Sequence, residues 1–333
     1  MSKKNSGKYD NPFSATLKGI SDLIKKQEKA GELLDTDRLD GKTVMITGAS
    51  SGLGYATALD LAKRGAHIIM ACRSGIPEKG EQIKKLSGSS RIDMIHVDVS
   101  DIDSIKELVN QLETKNEKLD ILICNAAIVP RISRKTKQDL EEMFVVNYLA
   151  KYLLIRSLWE KQLFNLNDSE IPRIIIVSSE SHRNPKEYRW DEFGVYQTYG
   201  INKTVELYGY YKLLLTTLVN ELSRRFNNKS GTKISVFSLC PGPVNSNIAR
   251  EAPALVQPLL KLVFSIFFKS PRKAAEPVVY LAASKDFNNK QIDYLFMMSR
   301  KDMDEKTMDP INGQTLWDLS EKLLSKIGVK FKD

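Results

Sequence analysis

Cysteine is scarce. The 333 residues hold three, Cys72, Cys124 and Cys240, each inside an apolar run. So small and odd a number excludes a disulfide-built scaffold and predicts reduced, buried thiols in a reducing compartment. Long apolar runs are lacking as well. No charge-free stretch approaches the roughly 18–20 residues that a bilayer demands, so no spanning helix is predicted. Met1–Asp10 is polar and basic, without the apolar centre of a secretory signal, and a cytoplasmic location is expected. Internal repeats, low-complexity segments and linkers rich in Pro, Gly or Ser are missing too. One domain over 41–333 is therefore expected, behind an extension over 1–40 that is helical or partly disordered. Acidic residues are outnumbered, giving a formal net charge of +9. The lysines are scattered, so a solvated basic surface is the plainer reading; attraction to an anionic membrane surface is the other. No nucleic-acid partner and no metal site are expected.

What is present is an alternation. Thr43–Ile46, His67–Ala71, Ile92–Val97, Leu119–Cys124, Arg173–Val177 and Lys233–Leu239 read as strands apolar nearly throughout. Helical patterns separate them at 55–65, 78–86, 104–112, 137–164 (one helix or two) and 207–226. Apolar strands alternating with helices predict an α/β fold, a doubly wound parallel sheet covered on both faces. Ligands then bind at the carboxyl ends of the strands.

The first of those ends carries Thr47-Gly48-Ala49-Ser50-Ser51-Gly52-Leu53-Gly54. Strand, glycine-rich turn and helix is a geometry for holding a pyrophosphate, with free N–H groups facing the anion. Gly48 is expected to make the turn, Gly52 to admit the phosphates, and Gly54 to let helix pack on strand. The second strand ends at Ala71-Cys72-Arg73-Ser74, with Arg73 where an NAD site would carry an acidic residue. That favours NADP(H) over NAD(H). Asp98-Val99 ends the third strand, where an adenine can lie. Asn125-Ala126-Ala127 ends the fourth, with small residues that let a ring or ribose approach.

Tyr208 and Lys212 are four apart on a helix and share a face. A nearby ammonium favours phenolate, and such a tyrosine can hand a proton to a forming alkoxide. A second Tyr-x-x-x-Lys stands at Tyr199 and Lys203, in the irregular stretch 180–206 and next to Gly200. The Tyr208 pair is favoured because it opens a long amphipathic helix. The stretch 180–206 is itself a functional loop or a subdomain.

Taken together these motifs resemble, in order and position, those of the short-chain dehydrogenase/reductase family over nearly all of 41–333. The resemblance implies a catalytic tetrad of Asn147, Ser179, Tyr208 and Lys212. Asn147 would hold a water that links the lysine to solvent, Ser179 would orient the substrate oxygen, and Tyr208 would be the acid–base. Lys212 would bind the nicotinamide ribose. Pro241, Gly242, Val244 and Ser246 would lie against the nicotinamide. Ala71-Cys72-Arg73, Cys124-Asn125-Ala126-Ala127, Ser179-Glu180-Ser181-His182 and Leu316-Trp317-Asp318 resemble the retinol dehydrogenases and, more distantly, the protochlorophyllide reductases. Tyr211 and Ser246 depart from the family pattern, which bears on substrate shape.

The apolar run 252–268 follows the Pro-Gly motif, where family members cover the substrate. A lid over about 245–270 is expected, and with it an apolar aldehyde, ketone or alcohol as substrate. That lid, or an amphipathic helix over 13–34, could touch a membrane interface. Family members often form homo-oligomers. The implied activity is NADP(H)-dependent interconversion of carbonyl and alcohol. Alternatives are a non-catalytic dinucleotide sensor or scaffold on the same fold and a carbon–carbon double-bond reductase.

Overall fold

Residues 29–166, 170–227, 233–242 and 270–332 are described by a computed structural model, apart from the side chain of Asn202. Eight strands form one sheet in the order β3-β2-β1-β4-β5-β6-β7-β8. They are β1 Thr43–Thr47, β2 His67–Cys72, β3 Ile92–His96, β4 Ile121–Cys124, β5 Arg173–Val177, β6 Ser235–Cys240, β7 Ile292–Phe296 and β8 Ser299–Arg300. The first seven run parallel and β8 is antiparallel to β7. The order reverses between β1 and β4, the switch point at which a doubly wound sheet opens a crevice.

The helices are α1 Gly52–Lys63, α2 Glu78–Ser87, α3 Ile102–Thr114, α4 Glu142–Phe144, α5 Ala150–Glu160, α6 Ile201–Phe226, α7 Pro271–Ala283, α8 Glu305–Met308 and α9 Pro310–Lys326. A π turn, Val145–Leu149, joins α4 to α5. The sheet separates two cores. Leu61, Val278 and Phe287 belong to the one formed with α1 and α7. Leu108, Tyr152, Leu218 and Leu316 belong to the other, formed with α3, α5, α6 and α9. Strands β1, β2, β4 and β6 are buried along their length or nearly so. A parallel sheet covered on both faces requires that, and it is why these strands read as continuous apolar runs.

Six strands were predicted and β7 and β8 were not. Ile292–Phe296 is short and carries Asp293, so its apolar signal is broken; it pairs as a strand because Val236–Cys240 of β6 offers it a partner. Helix α6 begins at Ile201, not Leu207. Its first turn, Ile-Asn-Lys-Thr-Val, is poor in helix formers and is held by a tertiary bond from Thr204 Oγ1 to the Pro130 carbonyl at 2.9 Å. Of the helix expected over 13–34, residues 13–28 lie outside the described residues. Residues 29–34 are not helical: Ala30 N donates to Met298 O at 2.6 Å, and Leu33 packs against the α1/α7 core. The expected lid, 245–270, lies outside the described residues except for Ser270. Among the described residues no helix is long and apolar enough to cross a membrane. The three cysteines are free and buried.

Candidate active site

A cleft of about 470 Å³ opens along the carboxyl ends of the strands. Gly48, Ser50, Ser51, Gly52, Leu53, Arg73, Asp98, Val99, Asn125, Ala126, Ser179, Tyr208, Lys212, Pro241 and Gly242 all line it. Gly54 and Asn147 do not. Val244 and Ser246 lie outside the described residues.

The glycine turn is built as its sequence demands. Gly48 and Gly52 have φ of 68° and 54°, the left-handed region that side chains resist. Gly54 is needed for proximity: a Cβ there would lie 2.4 Å from the Gly48 carbonyl oxygen and 2.6 Å from Asn125 Nδ2. Asn125 holds the turn from the neighbouring strand, its Nδ2 donating to Thr47 O at 3.0 Å and Gly48 O at 3.2 Å. Thr47 Oγ1 returns the contact, accepting from Asn125 N at 3.1 Å and Ala126 N at 3.2 Å. Helix α1 starts beyond Ser51 with no side-chain cap, which leaves its first N–H groups facing the cleft for an anion. This uncapped helix start, behind a turn only glycine can make, fits a pyrophosphate.

At the far end Arg73 lies 3.5 Å from Asp98. Burial raises the Asp98 pKa, but bonds from Ser100 and the Arg73 charge outweigh it and leave the carboxyl below its usual range. The Arg73 guanidinium therefore meets a fixed anion while more than half its side chain stays exposed.

The other end holds the Tyr-x-x-x-Lys pair of α6. Tyr208 and Lys212 sit in the third turn of α6, not at its start as predicted. A Cβ at Gly209 would come within 3.0 Å of the Ser181 carbonyl, so this glycine lets α6 close onto the turn that carries Ser179. Ser179 lies close enough to Tyr208 to bear on its hydroxyl, and its Oγ donates to Ser181 Oγ at 3.1 Å. Its neighbour Ser178 is buried and bonded to Thr216. Lys212 is 1% exposed. Its Nζ donates to Val177 O at 2.9 Å and lies 5.5 Å from the centre of the Tyr208 ring.

Burial, and then the charge of Lys151, push the Lys212 pKa down to about 7, against the opposing pull of Cys240. The Tyr208 hydroxyl behaves otherwise than its spacing to a lysine suggested. Burial and Cys240 drive its pKa up, and only the nearby Ser179 opposes them. Tyr208 therefore stands protonated, in the form that donates. Cys240 also faces the cleft, and burial keeps its thiol protonated, its pKa pushed up to about 11.

Asn147 is fully buried at the centre of the π turn. Both ends of its amide are used on Ile128: Oδ1 accepts from Ile128 N at 3.0 Å and Nδ2 donates to Ile128 O at 2.8 Å. It shapes the apolar wall of the cleft, Ile128, Val129 and Pro130, from behind. The Tyr199/Lys203 pair stays out of the cleft. Sequence reasoning passed over Thr47 and Cys240, the Arg134–Glu142 ion pair at the cleft wall, and Lys151. For Lys151 a signal existed: it is the one charge in Leu149–Ile155.

Comparison with known proteins agrees with this geometry. A profile of short chain dehydrogenases matches residues 42–197. Human retinol dehydrogenase 14 is 33% identical over 327 residues, covering 93% of each chain. Among solved structures, an uncharacterized protein from Mycobacterium paratuberculosis superposes with a TM-score of 0.68 at 23% identity, covering 91% of this chain and all of that one. A Beutenbergia cavernae protein, described as an NAD(P)-dependent gluconate 5-dehydrogenase with bound NADP, superposes with a TM-score of 0.58 at 22% identity, over 78% and 96% of the two chains. The switch-point cleft, its glycine turn and the Ser–Tyr–Lys cluster thus have their place in a known lineage: the chain is an oxidoreductase of the short-chain dehydrogenase family, in its retinol dehydrogenase-like branch.

Proposed function

We propose that the protein interconverts an apolar aldehyde or ketone and its alcohol with NADP(H), using Tyr208 as the acid–base. The observation that carries this reading is the meeting of Ser179, Tyr208 and Lys212 in the cleft, with the Lys212 amine 5.5 Å from the Tyr208 ring centre. Bound in the cleft, the nicotinamide would supply or accept the hydride. In reduction the carbonyl carbon gains that hydride while the Tyr208 hydroxyl gives its proton to the carbonyl oxygen. Ser179 holds that oxygen in place, and the Lys212 ammonium stabilises the phenolate left behind. Oxidation of the alcohol runs the same steps backwards. Asn147 acts through Ile128, keeping the wall against which substrate and cofactor rest.

The preference for NADP(H) rests on Arg73, the exposed cation at the end of β2, with a 2′-phosphate as its natural partner. Asp98 keeps Arg73 at the cleft, and the bound NADP of the Beutenbergia relative is consistent with the fold accepting that cofactor. The apolar substrate rests on Ile128, Val129 and Pro130 in the cleft wall.

The test is binding of NADPH and NADH to the purified protein, followed by NADPH oxidation against carbonyls of graded chain length. Tighter binding of NADPH, with kcat/KM rising with apolar length, is expected. Tight binding without turnover on any carbonyl would overturn the reading in favour of a sensor or a double-bond reductase.

A further inference from the structure

Lys151 takes no part in the chemistry above, yet it is 4% exposed and, among the described residues, forms no ion pair. A buried ammonium is costly unless its donors are used, and here they are used on backbone. Nζ donates to Ala126 O and to Val146 O, both at 2.7 Å. Ala126 lies in the turn after β4, one residue from the Asn125 that holds the glycine turn. Val146 lies in the π turn, one residue before Asn147.

The two contacts form a pattern. Asn147 and Lys151 are four apart in the chain, and they grip residues two apart on one segment, Ile128 and Ala126. Ala126, Ala127 and Ile128 all line the cleft. We propose that Lys151 is a positioning residue for the reaction, which with Asn147 clamps the Ala126–Ile128 edge of the cofactor cleft to the π turn.

Its charge reaches the same site. Lys151 is one of the causes that hold the Lys212 pKa low, second to burial. The groups facing the two ammoniums are Cys124 of β4 for Lys151, and Cys240 of β6 and Tyr208 of the same helix for Lys212. Burial lowers the Lys151 pKa itself to about 8, slightly offset by Cys124. The unfolded chain, with an ordinary lysine pKa of 10.5, binds more protons between those values, so stability rises with pH across that window.

The inference rests on the Tyr208–Lys212 chemistry proposed above, and the measurements separate the two. Three variants are compared with the wild type: Lys151→Met, which removes charge and donors; Lys151→Gln, which keeps a donor; and Lys151→Arg, which keeps the charge. Without cofactor, Lys151 and Lys212, both held below an ordinary lysine, make wild-type stability rise with pH up to about 10.5, and Lys151→Met removes the part of that rise that sets in near pH 8 while leaving the part due to Lys212. NADPH binding, read by fluorescence, weakens about tenfold in Lys151→Met and less in Lys151→Gln, because the cleft edge is loosened. In NADPH-dependent reduction, the high-pH limb moves up by about one unit in both neutral variants, since Lys212 then keeps its proton longer. Lys151→Arg leaves the limb in place.

A Lys151→Met protein that folds, binds NADPH as the wild type does and keeps its pH limb overturns the clamp. So does a folded Lys151→Gln protein whose NADPH affinity and pH limb both match the wild type, should Lys151→Met not fold. A wild type that turns over no carbonyl, yet loses NADPH affinity on Lys151→Met, overturns the proposed activity and leaves the clamp standing.

Discussion

The chain carries the Tyr-x-x-x-Lys pattern twice, nine residues apart, and the two copies do different work. Tyr208 and Lys212 both lie inside α6 and both line the cleft. Tyr199 stands before the Gly200 that caps α6, so it shares no helical face with Lys203. Its hydroxyl donates to Glu141 Oε1 at 2.6 Å in a buried contact, while Lys203 donates to Gln197 at 3.0 Å. Glu141 in turn caps α4, accepting from Met143 N at 3.0 Å and Phe144 N at 2.7 Å. The first pair thus fastens the segment that leads into the π turn, and the second faces the cleft. Spacing nominates a pair; the strand end that the helix packs against decides what it does.

Substitutions can break this contrast or sharpen it. The largest effect is expected from Tyr208→Phe, which removes the proton donor. kcat should fall about 10³-fold while the NADPH Kd moves less than about twofold; turnover near the wild-type rate would dissolve the distinction between the pairs. Tyr199→Phe should act on stability instead. Loss of a buried hydrogen bond to a carboxylate should cost about 1.5–3 kcal/mol in chemical unfolding, with kcat within a factor of about two. A loss of turnover as deep as that of Tyr208→Phe, in a folded protein, would show that the first pair belongs to the chemistry. The smallest effect is expected from Lys203→Ala, whose half-buried amine bonds only a glutamine side chain among the described residues. Stability should change by about 0.5 kcal/mol or less, and urea unfolding beside the wild type checks it.

Much of this was legible in the sequence because the cleft is made at strand ends. A parallel strand buried on both faces announces itself as an apolar run, and the residues following each run then fall at one edge of the sheet. That logic located the glycine turn, Arg73, Asp98 and Asn125 without any knowledge of contacts, and the family resemblance added Ser179 and Pro241. Side chains whose role depends on what folds against them were not legible. Asn147, to which the resemblance assigned a water, spends both ends of its amide side chain on Ile128, and nothing in the sequence announced that partner. The tyrosine beside a lysine suggested a lowered pKa, and burial reverses it. Helix α6 starts earlier than its propensities indicate because Thr204 is tied to Pro130, a partner 74 residues away in the chain.

The parallel register has a consequence for how this protein tolerates change. Thr47 lies opposite Ala71, Cys124 opposite Ile176, and Val177 opposite Leu239, so the last rungs of adjacent strands end nearly level. The sheet acts as a ruler, and each site residue is measured from its end. One residue inserted between a strand and its motif shifts that motif by about 3.3 Å and turns its side chains to the opposite face. The turns at the other end of the sheet, such as Gly88–Ser90 before β3 or Asn116–Glu117 before β4, are measured from nothing in the cleft. Length variation among descendants of this chain should therefore be lopsided, gathering at the amino ends of the strands and sparing the few residues that follow them.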